Sequence, residues 1–277
     1  MLGQFICLRM NTNIVVVIPA RYASSRFPGK PLAPLVGATG IAKSLIERSW
    51  NTAMRVEGVS AVYVATDDDR IAEASRAFGA EVLMTSADCQ NGTERVAEAV
   101  KLLDSAPDIV LNLQGDAPLT PPWFLTSLIE ELCNDSSVEM ATPVLRCDGQ
   151  TLQSFRSDRK NGLVGGTTAI FDKSRDALYF SKEVIPYIDS DYEPTQKTPV
   201  FHHVGVYAYR CSTLQAYVDW GVGSFEKLEG LEQLRFLENG KPVRCVTVEA
   251  PERVFWELNN PVDVARIEGV LLKEGWE

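Results

Sequence analysis

The stretch that decides the fold is Ile14-Val-Val-Val-Ile-Pro-Ala-Arg-Tyr-Ala-Ser-Ser-Arg-Phe-Pro-Gly-Lys-Pro-Leu32. Its first residues form an apolar run that is short enough for one buried strand. A loop that carries Arg21, Arg26 and Lys30 among small residues follows this strand directly. Ligands of α/β proteins bind beyond the carboxyl ends of strands, so we expect these three cations to hold the phosphate groups of a ligand.

Strand-like and helix-like segments alternate on both sides of that loop. The strand-like segments are residues 14–18, 61–65, 81–84 and 108–113, and the helix-like segments are 41–51, 69–78, 93–103 and one that ends near Asn134. This alternation predicts an α/β fold in which helices flank a sheet.

The second half of the chain has a less regular pattern. We expect strands over residues 167–171, 177–180, 204–209 and 243–248, and a long loop or arm over 187–199. Leucine spacing predicts one helix over residues 226–238, and the last helix is expected to begin at Pro261 with Asn260 as its N-cap. We interpret residues 13–277 as a single α/β domain and residues 1–12 as an extension, with Met10 as an alternative start to Met1.

Composition excludes several function classes. The net charge of −10 argues against a nucleic-acid binder, and no apolar segment is long enough for membrane insertion. The six cysteines include no Cys-x-x-Cys pair and only two histidines are present, which argues against a zinc site or a disulfide framework. We therefore expect reduced thiols in a cytoplasmic protein.

A single carboxylate is the candidate metal ligand. Asp116 follows an apolar strand in Leu-Gln-Gly-Asp, and Gly115 permits an unusual turn there. Magnesium prefers carboxylate and phosphate oxygens, so it is the expected partner, although an aspartate that only closes a turn is the alternative. The acidic run from Asp67 to Asp69 is better explained by the favourable interaction of negative charge with a helix start.

The segment Asn91-Gly-Thr-Glu-Arg95 begins a helix, which Thr93 could cap. Arg95 then lies in the first turn, where the helix dipole disfavours a cation. A phosphate, ribose or base of a ligand would compensate its charge.

Two further groups are candidates for binding a polyhydroxy ligand. Glu229, Glu232 and Gln233 share one face of the predicted helix, which is either a ligand contact or a solvated face. His202 and His203 are neighbours in an extended segment and point in opposite directions, so only one can face a given cleft. A structural hydrogen bond is the more common role for such a histidine.

Eight motifs together resemble the 3-deoxy-manno-octulosonate (Kdo) cytidylyltransferase family. They are the loop at residues 19–32, Ala65-Thr-Asp67, Gly92-Thr-Glu-Arg95, Gln114-Gly-Asp116, Ala177-Leu-Tyr-Phe-Ser181, Ile185-Pro186, His203-Val-Gly-Val-Tyr207 and Leu231-Glu-Gln-Leu-Arg235. The resemblance implies a Rossmann-like mixed sheet flanked by helices, of the nucleotide-diphospho-sugar transferase type, with a dimerisation excursion in the second half. It also implies a cytoplasmic homodimer that transfers CMP from CTP to Kdo for lipopolysaccharide or capsule assembly.

Site residues follow from the same resemblance. Arg21, Lys30 and Asp116 would carry catalysis, and Asp116 and Asn259 would hold Mg²⁺. The nucleotide would be bound by Ala20, Arg21, Ser24, Lys30, Thr93, Arg95 and Gln114. The sugar would be bound by Gln114, Tyr179, Lys182, His203, Tyr207, Glu232 and Gln233.

The sequence departs from the family pattern at several of these positions. Asn259 stands where the family has a second metal-binding aspartate, and Asp263 or Glu257 could compensate. Thr168 and Lys182 replace a lysine and an arginine, and Ala117 replaces a glutamate. A different 2-keto acid acceptor, such as 8-amino-Kdo or a sialic-acid-like sugar, and a noncatalytic CTP-binding paralogue therefore remain as alternative hypotheses.

Overall fold

The computed structural model describes residues 12–23, 27–116, 118–164, 166–250, 258 and 260–276. Contacts between residues divide the chain into two compact units. The first unit comprises Met1–Thr126 and Glu252–Glu277, and the second comprises Ser127–Pro251.

The elements of the two units are numbered along the chain. The strands are β1 (Ile14–Ala20), β2 (Pro34–Val36), β3 (Ala42–Ser44), β4 (Ala61–Thr66), β5 (Glu81–Met84), β6 (Ile109–Leu113), β7 (Met140–Asp148), β8 (Thr167–Phe171), β9 (Ala177–Ser181), β10 (Lys197–His203), β11 (Val206–Arg210) and β12 (Arg244–Thr247). The helices are α1 (Leu45–Ala53), α2 (Asp69–Ala77), α3 (Gly92–Lys101), α4 (Pro122–Asn134), α5 (Gly149–Lys160), α6 (Cys211–Tyr217), α7 (Ser224–Glu229), α8 (Leu234–Glu238) and α9 (Asp263–Glu274). A 3-10 turn covers Lys30–Leu32.

The first unit is built around a parallel sheet in the order β5-β4-β1-β6. All seven residues of β1 are buried, which is typical of a central parallel strand with helices on both faces. Complete burial of each valine or isoleucine side chain contributes about 1.5–3 kcal/mol relative to exposure. The apolar run at the start of the chain is therefore the centre of the first core, as predicted.

Capping side chains explain where several helices begin. Ser44, Asp68, Asn91 and Asp148 each accept a hydrogen bond from a backbone N–H in the first turn of α1, α2, α3 and α5. Asn91, and not Thr93, caps α3, so the predicted cap is wrong by two residues. Val262 precedes α9 without a side-chain cap, so the predicted cap at Asn260 is also wrong.

The second unit contains a mainly antiparallel sheet in the order β11-β7-β10-β8-β9, and β12 pairs with β7 in parallel. Helix α5 packs against this sheet through a cluster of Cys147, Leu152, Phe155 and Val200. Ile188 and Tyr192 from the predicted loop or arm pack against the same cluster. Part of the predicted loop thus packs onto the second unit. The last residues of the predicted loop, from Lys197 onward, belong to β10.

Two predicted helices differ from the observed elements. Residues 42–44 of the first predicted helix form β3, and the helix begins only at Leu45. The predicted helix over residues 226–238 is two short helices, α7 and α8, because Gly230 adopts a left-handed conformation with φ 60°. Leu228, one of the leucines whose spacing predicted a helix with a buried apolar face, is 81% exposed.

The thiols follow the prediction with one exception. Cys89, Cys147, Cys211 and Cys245 are free, as expected, whereas Cys133 is disulfide-bonded, which the cysteine spacing did not predict. None of the helices in the described ranges combines the length and apolar character that crossing a bilayer requires.

Candidate active site

The predicted phosphate loop begins where β1 ends. Ala20 is buried, and Arg21, the next residue, is exposed and forms no ion pair with a described residue. The chain then turns back, and the Gly29 N–H donates to the Tyr22 carbonyl oxygen at 2.9 Å. Gly29 has a φ of 71°, and a Cβ there would lie 3.0 Å from the Tyr22 ring, so this turn requires glycine.

Lys30 and Asp116 meet beyond the carboxyl ends of the strands of the parallel sheet. Because β1 and β6 are parallel neighbours, the loops that follow them leave the sheet at the same edge. Lys30 Nζ lies 2.9 Å from Asp116 Oδ2, and the two side chains are 17% and 31% exposed. A Cβ at Gly115 would lie 3.1 Å from the Pro19 carbonyl oxygen, so glycine permits the close approach of the two loops.

Four residues that the sequence singled out lie outside the described residues: Ser24, Arg26, Glu257 and Asn259. Leu258, which precedes Asn259 in the sequence, donates its N–H to the Asp116 carbonyl oxygen at 2.9 Å. Asp263, the suggested compensating ligand, is only 4% exposed and accepts the Asn260 N–H at 2.7 Å. Its carboxylate is thus engaged at the start of α9.

Arg95 is buried and has partners within the first unit. Its guanidinium is 3% exposed, and Nη1 donates to Thr85 Oγ1 at 2.6 Å. The same nitrogen lies 3.3 Å from Asp67 Oδ1. Asp67 supplies an opposite charge within the protein, so the position of Arg95 does not by itself require a ligand.

Gln114 and Thr93 lie beside the start of α3. A Cβ at Gly92 would lie 2.6 Å from Gln114 Nε2, so a larger residue there would require the end of the Gln114 side chain to move. Thr93 is 1% exposed in the first turn of α3. The Gly-Thr pair in the sequence thus reflects close packing between the helix start and the end of β6.

Predicted sugar-binding residues form a second cluster in the second unit. The rings of His203 and Tyr207 lie 5.7 Å apart, and the Tyr207 hydroxyl donates to Gln233 Oε1 at 3.2 Å. Gln233 is 1% exposed, and its Nε2 is buried without a hydrogen-bond partner among the described residues. A buried amide donor of this kind costs free energy unless a ligand or water completes it.

The turn that carries Gln233 is held by a buried ion pair. Arg235 Nε and Nη2 each lie 2.7 Å from a carboxylate oxygen of Glu226, and the guanidinium lies over the Tyr217 ring at 4.1 Å. This pair joins α7 to α8, and the Glu232 backbone carbonyl accepts the Tyr217 hydroxyl at 3.3 Å. The position of Glu232 and Gln233 thus depends on a fixed turn, not on a continuous helix face.

The remaining predicted sugar residues lie at the end of β9. The Tyr179 ring contacts the Phe225 ring at 5.9 Å. Glu229 accepts the Ser181 hydroxyl at 2.7 Å and the Lys182 backbone N–H at 2.9 Å. Glu229 therefore joins β9 to α7, and this interaction accounts for its position.

Burial makes the two histidines weak bases. It lowers the pKa of His203 from 6.5 to about 3, with a smaller contribution from the nearby His202. His202 contacts the Phe155 ring at 5.2 Å, whereas His203 contacts the Phe180 ring at 4.9 Å. The two rings therefore have different neighbours, as alternation along a strand predicts.

Two buried threonines form hydrogen bonds in the second unit that bear on the predicted sugar site. Thr142 of β7, which the sequence analysis missed, lies with its Oγ1 2.9 Å from His203 Nε2. Thr168 is fully buried, donates to the Glu183 carbonyl oxygen at 2.6 Å and accepts the Ile185 N–H at 3.1 Å. The side chain of Thr168 is thus used inside the fold, so its difference from the family pattern is not by itself evidence for another acceptor.

The described residues contain no group of three or more histidine, cysteine, aspartate or glutamate side chains that could hold a metal by themselves. Asp116 is the predicted metal ligand that can be placed. A site that uses one carboxylate together with ligand phosphate oxygens and water is consistent with this arrangement.

Comparison with known proteins identifies the family of the chain. A cytidylyltransferase family model matches residues 15–243. The 3-deoxy-manno-octulosonate cytidylyltransferase of Maricaulis maris (strain MCS10) is 47% identical over 263 residues, which cover 95% of this chain and 98% of the relative. The protein of the same name from Syntrophus aciditrophicus (strain SB) is 40% identical over 261 residues, which cover 94% and 98% of the two chains.

A solved structure extends the comparison to the fold. A CMP:2-keto-3-deoxy-manno-octonic acid synthetase complexed with CTP aligns with a TM-score of 0.79 and 32% identity, and the alignment covers 95% of this chain and 100% of that one. The predicted mixed α/β fold class and the resemblance drawn from the motifs are confirmed. Sequence and structure together show that the chain belongs to the cytidylyltransferase family, among the 3-deoxy-manno-octulosonate cytidylyltransferases.

Proposed function

We propose that this protein transfers CMP from CTP to the anomeric hydroxyl of Kdo or a closely related ulosonic acid and releases pyrophosphate, for lipopolysaccharide or capsule synthesis. The observation that carries the proposal is the 2.9 Å contact between Lys30 and Asp116 at the carboxyl ends of adjacent parallel strands. A cation and a carboxylate at this place suit a reaction that displaces pyrophosphate from a nucleoside triphosphate.

At the nucleotide end, Lys30 and Arg21 are proposed to bind phosphate oxygens. Arg21 is exposed directly after β1, and the Lys30 side chain, which follows nine residues later in the sequence, is 17% exposed. Negative charge grows on the pyrophosphate as it leaves, so fixed cations stabilise the transition state more than the ground state. The nucleotide site is proposed to be completed by Ala20, Ser24, Thr93, Arg95 and Gln114. Among these, Arg95 is held in place by its ion pair with Asp67.

We propose Mg²⁺ as the divalent cofactor. Asp116 fits this role because its carboxylate is 31% exposed and hard oxygen ligands are what this ion prefers. When bound, Mg²⁺ would neutralise phosphate charge and make the α-phosphorus more electrophilic. Asn259 is proposed as a second ligand through its amide oxygen, and Glu257 is the alternative. Asp263 is a weaker alternative because its carboxylate already accepts the Asn260 N–H.

At the acceptor end, His203, Tyr207 and Gln233 are proposed to bind sugar hydroxyl groups. The buried Nε2 of Gln233 offers a donor that no described residue uses. Gln114, Tyr179, Lys182 and Glu232 are proposed to complete the acceptor site, and the ammonium group of Lys182 suits the sugar carboxylate. Positioning of the two substrates and charge neutralisation would provide most of the rate enhancement.

The test is pyrophosphate release with CTP, Mg²⁺ and a panel of acceptors. We expect Kdo or 8-amino-Kdo to be used with a higher kcat/KM than sialic acid. Replacing CTP by ATP should abolish release if the nucleotide is selected through its base. No release with any ulosonic acid, although CTP binds by calorimetry, would instead favour the noncatalytic alternative.

We also propose a cytoplasmic homodimer in which residues 13–277 act as one domain. Leu178, Tyr187 and Leu228 of the second unit are 61%, 89% and 81% exposed, and the proposal places these apolar side chains in the contact between subunits. Sedimentation equilibrium at micromolar concentration tests the dimer, and a monomer at all concentrations would contradict it.

A further inference from the structure

The hydroxyl group of Thr142 has three polar neighbours in the interior of the second unit. Its Oγ1 lies 2.8 Å from the Val206 carbonyl oxygen, 3.3 Å from the Val204 carbonyl oxygen and 2.9 Å from His203 Nε2. Thr142 is completely buried. The hydrogen atoms in this group must therefore be shared among these protein atoms.

The two shortest contacts fix the arrangement of the hydrogens, because the Val204 carbonyl oxygen already accepts the Val206 N–H at 2.7 Å. A hydroxyl has a single hydrogen to donate, and carbonyl oxygens can only accept. Two oxygens 2.8 Å apart without a hydrogen between them would repel each other, so the Thr142 hydroxyl donates to Val206. Its oxygen must then accept a hydrogen bond, and the hydrogen comes from Nε2 of His203.

The state of the other ring nitrogen follows. Burial lowers the pKa of His203 to about 3, so the ring is neutral at pH 7 and carries one hydrogen. With that hydrogen on Nε2, Nδ1 has a lone pair and can only accept. Nδ1 makes no hydrogen bond to a residue in the part of the chain that the structure describes.

The ring is also held in orientation. Phe180 lies edge-on at 4.9 Å, and the Tyr207 ring lies at 5.7 Å. Tyr207 connects His203 to Gln233, whose buried Nε2 has no hydrogen-bond partner among the described residues. An acceptor and a donor thus flank one tyrosine. A sugar hydroxyl can both donate and accept, whereas a carboxylate can only accept and would be repelled by the Nδ1 lone pair.

We propose that Thr142 is a positioning residue that fixes His203 as the Nε2–H tautomer, so that Nδ1 accepts a hydrogen bond from a hydroxyl group of the acceptor sugar. This inference rests on the proposed function for the identity of the ligand. It assigns His203 to a sugar hydroxyl, not to the sugar carboxylate and not to proton abstraction, for which so weak a base is unsuited.

The first measurement is the tautomer of His203 in the protein without substrates. The chain has only two histidines, so the long-range ¹H–¹⁵N spectrum contains two imidazole patterns, and a His202→Gln variant assigns them. We expect His203 to give the Nε2–H pattern at pH 7. An Nδ1–H pattern in the wild-type protein would overturn the inference, whatever the catalytic activity.

The second measurement uses variants of Thr142. Thr142→Val keeps the shape of the side chain and removes the hydroxyl, so we expect mixed tautomers and a KM for the sugar that rises roughly three- to tenfold, with a smaller change in kcat. Thr142→Ser retains the hydroxyl and should restore both values. Thr198→Val is the matched control, because this equally buried threonine donates to the Cys147 carbonyl oxygen and does not contact His203.

The possible outcomes separate this inference from the proposed function. An unchanged tautomer or an unchanged sugar KM in Thr142→Val, with Thr198→Val equal to wild type, would contradict the role of Thr142. Equal KM changes in both valine variants would show only a general packing effect and would also contradict it. The proposed function fails separately, through absence of pyrophosphate release by the wild-type protein.

Discussion

At the scale of single residues, the site depends on two charges that the sheet brings together. Lys30 lies in a short turn after β1, and Asp116 lies in the turn after β6. Their ion pair is partly exposed, so it contributes at most about 1 kcal/mol to folding. Their positions are thus better explained by function than by stability.

Replacing Lys30 by methionine should lower the rate with little effect on stability. The change removes a cation at the leaving group, so kcat should fall roughly 100- to 1000-fold, or about 2.7–4 kcal/mol by analogy with the loss of one oxyanion donor. Steady-state pyrophosphate release and thermal denaturation measure the two effects. Lys241→Met is the matched control, because Lys241 forms a surface ion pair with Glu139 at 3.1 Å in the second unit. A change confined to KM would indicate uniform binding of substrate and transition state.

Replacing Asp116 by asparagine should abolish turnover and leave the fold intact. The amide is a weaker ligand for Mg²⁺ and removes one negative charge, whereas the backbone carbonyl that accepts the Leu258 N–H remains. Turnover at several Mg²⁺ concentrations and circular dichroism test this expectation, with the exposed Asp219→Asn as control. Normal turnover in Asp116→Asn would refute its assignment as metal ligand.

At the scale of elements, α5 depends on a close approach between backbones. The Gly149 N–H donates to the Gln196 carbonyl oxygen at 2.9 Å, and a Cβ at Gly149 would overlap the Glu193 carbonyl oxygen. The backbone of the segment before β10 thus packs directly against the first residue of α5. Glycine is required here because a Cβ would collide with backbone atoms of Glu193. The backbone conformation itself does not require glycine, because φ at Gly149 is not positive.

Gly149→Ala should destabilise the protein by about 1–3 kcal/mol, because backbone atoms must move to make room. Gly269→Ala is the matched variant, since Gly269 lies within α9 and a Cβ there meets nothing within 4 Å. It should stabilise the protein by about 0.5–1 kcal/mol through helix propensity. Urea denaturation of both variants measures the difference. Equal effects of the two substitutions would show that the Glu193 contact does not restrain α5.

The sequence predicted the first unit better than the second because its strands are continuous apolar runs. Residues 81–84 match β5, and β1 contains all five residues of its predicted strand. β7 was missed because Pro143 and Arg146 interrupt its apolar pattern, and β10 because Pro199 and two histidines do so. Those strands form through pairing with distant segments, which local patterns do not encode.

Prediction of the site residues from the sequence has the same limit as prediction of the strands. The motifs indicated Lys30 and Asp116 because each follows a recognisable strand. Thr142 gave no signal, because its role depends on His203, which is 61 residues away in the sequence. The compensation of Arg95 by Asp67 was missed for the same reason, since the two residues come from different elements.

At the scale of the whole molecule, the protonation of His203 links pH to stability. The folded protein keeps this ring neutral down to about pH 3, whereas the unfolded chain protonates it below about 6.5. In this interval the unfolded state binds more protons, so stability falls as the pH falls from 6.5 towards 3. The stabilising effect is complete above pH 6.5.

Between pH 7 and 5, His203 should cost the wild-type protein about 2 kcal/mol of unfolding free energy. Urea denaturation of wild type and His203→Asn at both pH values measures this loss, because the carboxylates and His202 titrate in both proteins and cancel in the difference. A pH dependence identical in the two proteins would contradict the strongly lowered pKa.

The Lys30–Asp116 contact also determines how the empty enzyme should respond to its ligands. Each group satisfies the other's charge at 2.9 Å, so a divalent ion arriving alone must compete with the ammonium for the carboxylate. In the proposed nucleotide site, triphosphate oxygens would attract the Lys30 ammonium and free the Asp116 carboxylate, so we expect nucleotide and ion to favour each other's binding reciprocally. We expect Mg²⁺ alone to leave the melting temperature unchanged, Mg²⁺ with CTP to raise it, and Lys30→Met to let the ion alone raise it. A rise in the melting temperature of the wild-type protein with Mg²⁺ alone would show that Lys30 does not compete with the ion for the Asp116 carboxylate.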